Sequence, residues 1–297
     1  MPSLFVTWDL DGLVSEQRYY CQTTPIDANS LPTPKMVLDG EVREYTDLDV
    51  IEGETYHIRV GSFRGDVEKI SSEVVIVATA AKDDFWPYVV TLLNFENGLI
   101  DATGKRTYSA FGGANTTATN PIWGDASLDL QGASAKSINT PHSADLNIGG
   151  GDFTIEISLT AQSITDGYHS IMGKRNGYGS AESFTIHRSN KDLSIDFYYD
   201  FGGYRQTFTV ANVITAANTK YDIQIIKSGL NLKIAVNGAI KGSLPLASHI
   251  ANSSAPLHIG QASANEGSIF GGLIDELRIT KGIARPVVVK TEPFPTL

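Results

Sequence analysis

The chain has a single cysteine, Cys21, in 297 residues. That excludes an intrachain disulfide and a cysteine-based zinc site. Its six histidines (His57, His142, His169, His187, His249 and His258) form no HExxH or HxH cluster. Basic residues are outnumbered, 23 Lys+Arg against 33 Asp+Glu, for a formal charge of −10. An acidic chain without a basic block has little means of neutralising phosphates, so neither a nucleic acid nor an anionic membrane surface is expected as a partner. No apolar run approaches the roughly 18 residues of a membrane-spanning helix, so no membrane insertion is expected. The opening MPSLFVTWDLDG has no basic start followed by an apolar run, so no secretory signal is expected. A G-x-S-x-G elbow and a P-loop are both missing. So, almost entirely, is helical periodicity.

What is present is short alternating apolar runs divided by turn residues, the pattern of an all-β protein. In residues 1–80 the runs are LFVTW, RYYCQTT, KMVL, TYHIRVGSF and SEVVIVAT. With weaker runs between them they amount to about seven strands at sandwich spacing. Residues 78–84, ending in AAKDD, have little to bury, and the linker is placed at 81–84. Residues 85–297 are denser in strands, among them VVTLLNF, DFTIEISL, LSIDFYY, YDIQIIKS and GGLIDELRIT. Leu193, Ile195, Phe197 and Tyr199 share one parity, with Ser194, Asp196 and Tyr198 on the other. Asn237-Gly238 predicts a type I′ hairpin and Gly202-Gly203 a second hairpin. About a dozen strands of this kind fit a two-sheet jelly roll.

Two resemblances follow from particular residues. Trp8 on the early strand FVTW, and Gly53-Glu54-Thr55-Tyr56 ahead of HIRV, resemble the core tryptophan and tyrosine corner of a fibronectin type III domain over residues 1–80. Residues 85–297 resemble concanavalin A-like, laminin-G-like jelly rolls of bacteriophage tail proteins. WPYVVTLLNF, LIDATGK, SLDLQG, GDFTIE, IMGKR, NSSAPLHIG and GLIDELRITKGIAR, with EPFP as a tail, carry that resemblance; Pro286 departs from its pattern. It implies a non-enzymatic structural protein of a phage virion, associated with the tail fibre or tail tip and assembled in the host cytoplasm, its jelly roll suited to host-surface glycan attachment or to decoration of the particle. The implied partners are other tail and virion proteins, further copies of the chain in the particle, and a host cell-surface polysaccharide. A bacterial surface adhesin or carbohydrate-binding module is the alternative.

The candidate chemistry is sparse. Jelly-roll glycosidases place Glu-x-Asp-x-x-Glu on one strand; no glutamate here is followed by aspartate two positions on, and Glu156 reads as a lone solvated strand residue. No catalytic residue is therefore expected. The aromatics Trp123, Tyr178, Tyr198 and Tyr204 lie in or beside turns and are the candidates for stacking on sugar rings. In GLIDELRIT, Asp275 shares the parity of Leu273, Leu277 and Ile279, so an aspartate falls on a face that otherwise reads as buried. Such a carboxylate needs donors or a cation. The jelly-roll resemblance implies a structural Ca²⁺ there, with Glu96, Asn97 and Asp101 as further ligands. Arg64-Gly65-Asp66 reads as an ordinary turn rather than a cell-binding tripeptide, and Cys21 as an unreactive core thiol.

Overall fold

A computed structural model describes residues 3–10, 12–79, 82–132, 135–165, 167–176, 182–200, 204–264 and 267–296. Tyr178, the Gly202-Gly203 hairpin and Ala80-Ala81 lie outside the described residues. The chain divides into two compact units that meet between Lys82 and Asp83. Both are built from antiparallel strands, and the helical residues described are two 3₁₀ turns, Trp86–Tyr88 and Ala144–Leu146.

The first unit holds β1 (Leu4–Thr7), β2 (Glu16–Gln22), β3 (Met36–Asp39), β4 (Glu44–Asp47), β5 (Thr55–Arg64), β6 (Val67–Ile70) and β7 (Val74–Val77). β1 pairs with β4; the second sheet runs β3-β2-β5, with β6 and β7 sharing the far edge of β5. Leu4, Tyr19, Val50, Tyr56, Ile58 and Ala78 form the core. The Tyr56 hydroxyl accepts the Ile51 N–H at 2.9 Å, fixing the entry to β5. The buried Asp47 carboxylate accepts from Tyr19 Oη at 3.2 Å and Lys35 Nζ at 2.8 Å. Arg64 faces Val67 across a two-residue turn, and Gly65 at its first position has φ +63°. That conformation suits glycine and makes Gly-Asp a type II′ hairpin turn.

Two expectations for this unit change. Trp8 follows β1, is half-buried and stands outside the core cluster. Cys21 is half-buried, packed against the cluster rather than in it, and burial pushes its thiol pKa up. Ala78 is buried and bonded to Gly53 and Glu54, and Asp83 is buried within the second unit.

The second unit holds β8 (Val89–Leu93), β9 (Ser109–Phe111), β10 (Asn115–Thr117), β11 (Ser127–Asp129), β12 (Ser137–Thr140), β13 (Phe153–Ala161), β14 (Tyr168–Lys174) and β15 (Phe184–Ser189). It continues with β16 (Asp192–Tyr198), β17 (Arg205–Val210), β18 (Lys220–Ser228), β19 (Asn231–Val236), β20 (Ala239–Pro245), β21 (Leu257–Ile259) and β22 (Gly272–Lys281). An eight-stranded sheet runs β10-β11-β22-β13-β18-β19-β20, with β8 also on β22. A seven-stranded sheet runs β17-β16-β15-β14-β21-β12-β9. The inner parities of both sheets meet in one core. Ile155, Ile157, Ile223, Ile225, Ile234 and Ile279 contribute to it from one sheet, and Ile186, Leu193, Ile195, Phe197 and Ile259 from the other. Asn237 (φ +50°) and Gly238 (φ +74°) form the type I′ turn between β19 and β20. A Cβ on Gly238 would lie 2.8 Å from the Val289 nitrogen, because the C-terminal segment crosses this turn.

β22 breaks the alternation read from its sequence. Ser158 faces Asp275 and Glu156 faces Arg278, so β22 has one residue more than β13 between these pairs. The extra residue is accommodated at Glu276, which has φ +46°. This β-bulge shifts the parity. Ile274, Leu277 and Ile279 point into the core. Asp275 stands opposite Ser158 on the outer face, fully buried there by what covers it.

Candidate functional site

The Pro121–Ser127 loop covers Asp275. Asp275 Oδ2 accepts the Trp123 N–H at 3.0 Å and the Ser127 hydroxyl at 2.8 Å, and Oδ1 accepts the Glu276 N–H at 2.7 Å. Burial pushes its pKa up to about 7, against the pull of the Ser127 and Trp123 bonds. Glu96 holds the same loop from another side, its Oε2 accepting the Asp125 N–H at 2.9 Å. Asp101 is used in its own turn. It accepts the N–H groups of Leu92 and Thr103 and the Thr103 hydroxyl, with Arg106 at 3.8 Å. Asn97, next to Glu96, is exposed. Among the described residues no three acidic, histidine or cysteine side chains gather as a metal cage. Every neighbour found on Asp275 is an N–H or O–H donor, whereas Ca²⁺ requires oxygen acceptors. The donor set therefore does not fit a cation at Asp275; it fits a carboxyl group that ties a loop to the closing strand.

Trp123 belongs to the same construction. Its Nε1 donates to Ser158 Oγ at 3.0 Å and to Asp222 Oδ1 at 3.2 Å. Lys220 Nζ lies 3.5 Å from its ring centroid and Lys290 Nζ 5.2 Å. An indole already engaged by two ammonium groups is not presented for stacking on a sugar.

Glu156, read as solvated, is buried beside this region. Its Oε2 accepts from Arg278 Nε at 2.6 Å, and Oε1 from Gln224 Nε2 at 3.1 Å. Asp83 accepts from Arg278 at 2.9 Å and from both Arg285 nitrogens at 2.8 and 2.6 Å. Phe294 lies under Arg278, with 3.5 Å between the guanidinium carbon and the ring centroid. This outer face is thus closed by an ion-pair network under the C-terminal segment. It holds the first and last parts of the unit together.

The outer face of the seven-stranded sheet is different. Alternation along β14–β17 turns one parity outward, which gathers side chains distant in sequence. Asp196 is the centre. Thr207 Oγ1 donates to its Oδ1 at 2.6 Å, Arg205 Nη2 lies 3.3 Å from its Oδ2, and His187 Nδ1 lies 3.7 Å from the same oxygen. The Tyr168 ring lies over His187 with centroids 4.3 Å apart. His187 is buried and its Nδ1 makes no hydrogen bond. Burial lowers its pKa, with Arg205 and Arg175 adding to the effect against Asp196, so the imidazole is neutral at pH 7. Ser194 and Thr209 share a 2.8 Å hydroxyl contact in the next row.

Tyr198 belongs to this face, two residues from Asp196 and directly across from Arg205. Burial, reinforced by its bond to Glu182, pushes its phenol up to about 12, so it stays a donor. Tyr204, beside Arg205, is exposed. Of the four aromatic candidates the structure brings Tyr198 and Tyr204 to one end of the sheet and leaves Trp123 on the other. The sequence reading missed Asp196, His187, Arg205, Thr207 and Tyr168 as a group. The signal for part of it was present in the polar parity of Ser194-Asp196-Tyr198. What alternation within one run does not give is which strands lie side by side. The face combines exposed Thr207, Thr209 and Arg205 with more buried Asp196, His187 and Tyr198.

Residues 132–284 match the model of the concanavalin A-like lectin/glucanases superfamily. Comparison with curated proteins gives no match. Among solved structures, the binding domain of Paraclostridial Mosquitocidal Protein 1 is similar at 12% identity. It covers 68% of this chain and 51% of its own, with a TM-score of 0.56. The binding domain of botulinum neurotoxin DC, solved with rat synaptotagmin II, aligns at 14% identity over 67% of this chain and 50% of its own, TM-score 0.54. Botulinum neurotoxin type C, whose cell entry depends on interaction with two ganglioside molecules, aligns at 14% identity, 68% and 50%, TM-score 0.54. The chain spans about half the length of these structures, and at such identities the likeness is one of fold. The family match runs from β12 through β22, strands of both sheets, and extends over half the sequence: the chain belongs to the concanavalin A-like lectin/glucanases superfamily.

Proposed function

We propose that the second unit binds a cell-surface carbohydrate on the outer face of its seven-stranded sheet and does not cleave it. We further propose that the chain serves as a structural attachment component of a phage tail. The observation that carries the binding reading is the Asp196 cluster. A sugar offers hydroxyls that both donate and accept, and C–H faces that pack on rings. Asp196 and neutral His187 supply acceptors, Arg205, Thr207 and Tyr198 supply donors, and Tyr168 and Tyr198 supply ring surface. The neurotoxin relative's interaction with gangliosides, on the same fold, supports a glycan as the ligand class. Non-cleavage rests on chemistry: glycoside hydrolysis needs one carboxyl poised as acid and another as base or nucleophile. Here Asp196 is committed to Arg205 and Thr207.

The virion reading rests on the ITKGIAR…PFP segment and the other motifs that resemble phage tail jelly rolls. The fibronectin-like reading of residues 1–80 is supported by the pairing of β1 with β4 against a β3-β2-β5 sheet and by the Tyr56–Ile51 bond. Its role in this proposal is docking and spacing among virion proteins, in a multimeric particle. Calcium has no part in it.

The test is an array of bacterial surface polysaccharides probed with a multivalent form, since single sites of this kind gain from avidity. Wild type is expected to bind without releasing sugar. Asp196→Ala and Arg205→Ala are expected to lose binding, while Trp123→Ala keeps it. Binding that survives both substitutions, or turnover that disappears with one acid, contradicts the proposal.

A further inference from the structure

β7 is an apolar strand that, among the described residues, has no strand on one edge and is exposed on both faces. Val74, Val75, Ile76 and Val77 are all 43–55% exposed, although both parities are represented. One edge pairs with β5, Thr55 to Val77 through Ile58 to Val74. The other edge has no strand beside it among the described residues. Four consecutive β-branched residues with unpaired backbone groups are a template for another strand, and proteins ordinarily blunt such edges with lysine, proline or a bulge. None of these stands within β7.

The surroundings specify the chemistry of the occupant. Residues 1–82 carry seven Lys+Arg against fourteen Asp+Glu. The turn that receives the end of β7 is Ile51-Glu52-Gly53-Glu54, all exposed, with the Gly53 N–H bonded to Ala78 O and the Ala78 N–H to Glu54 O. Asp49 is also exposed. The apolar edge therefore ends in an acidic rim. A second copy would bring the same acids against these and would be repelled.

We propose that the free edge of β7 takes an extended segment of a partner protein, apolar on alternate positions and bearing lysine or arginine between them, which adds to the sheet as a further strand. Main-chain bonds to β7 supply the affinity, Val74–Val77 pack against the apolar positions, and Glu52 and Glu54 meet the basic ones. This goes beyond carbohydrate binding and stands or falls apart from it.

The test uses the full chain and two synthetic peptides, one alternating valine with lysine and its twin with aspartate in place of lysine. The lysine peptide is expected to bind and to protect the amides of residues 74–77 from hydrogen exchange. The aspartate twin is expected to bind at least about tenfold more weakly. Ile76→Lys, and Val75→Lys on the face away from the core residue Tyr56, are each expected to abolish binding of the lysine peptide. Glu52→Gln with Glu54→Gln is expected to weaken it and flatten its salt dependence. Equal binding of both peptides, no binding by either, or protection that falls outside β7 overturns the proposal. So does a concentration-dependent dimer of wild type that Ile76→Lys dissolves, which would make the occupant a second copy.

Discussion

In residues 1–82, seven strands close over a core cluster of six apolar side chains, with Tyr20, Ile26 and Val60 buried beside it, while Phe5, Leu13, Met36, Val37, Ile51, Val67 and all of β7 remain exposed. In residues 83–296, both sheets direct one parity into a single core that runs from Val90 to Ile279. Its outer faces are also accounted for, one by the Asp83–Arg278–Arg285–Glu156 network and the other by the Asp196 cluster. The charge differs in the same sense, seven basic against fourteen acidic residues in the first unit and sixteen against nineteen in the second. The second unit has the burial of a self-sufficient fold. The first leaves apolar surface that pays its way only when something covers it. The carbohydrate recognition and the particle attachment proposed above accordingly fall to different units.

The largest effect is expected at Asp83. Asp83→Ala leaves the Arg278 and Arg285 guanidinium groups buried beside Glu156 alone, at a cost of about 3–5 kcal/mol. Burial works to raise the Asp83 pKa, but the Arg285 bonds and the Arg278 charge outweigh it and hold it below the usual value. Its contribution is therefore present above the ordinary carboxylate pKa and is lost as pH falls through the lowered one. Acid melts of wild type against Asp83→Asn check this.

Ile58→Ala and Ile155→Ala each remove a comparable buried side chain, at about 2–5 kcal/mol. In a unit of this size with so small a core, that is most of the available stability. Ile58→Ala is expected to unfold the first unit outright, whereas Ile155→Ala lowers the second unit's melting transition and leaves it folded. Calorimetry with limited proteolysis distinguishes the two. Equal effects would remove the contrast.

Asp275 comes next. Asp275→Ala leaves the Trp123, Ser127 and Glu276 donors without their acceptor, at about 1–3 kcal/mol. Because burial raises the carboxyl to about 7, its contribution is complete below the ordinary carboxylate pKa and falls as pH rises toward 7. The melting temperature of wild type is expected to be unchanged by EDTA; a drop restored by calcium would reinstate the metal. The smallest effect is at β7, where Val75→Thr is expected to move stability by no more than about 0.5 kcal/mol.

The jelly roll was legible because period-two alternation survives in β13, β16, β18 and β19, whose alternate apolar residues are in the core. It failed at β22, where one inserted residue at Glu276 exchanges the faces of everything before it. No composition signal marks that insertion. Glu156 was misread because its partners Arg278 and Arg285 lie on the other side of the unit in sequence. Lys174 shows the same limit: a lysine is ordinarily exposed, yet this one is buried on the Ser253 and Ala255 carbonyls, and burial pushes its pKa down to about 8. The Asp196 face, the proposed carbohydrate site, was legible only as the polar parity of β16.

The division of labour is tested most directly by hydrogen exchange of the full chain, with and without a polysaccharide selected on the array. The account predicts slowed exchange in β15, β16 and β17 around His187, Asp196 and Arg205, with β7 and the strands around Trp123 unchanged. Protection at the Trp123 loop or in residues 1–82, with none on β15–β17, would contradict it.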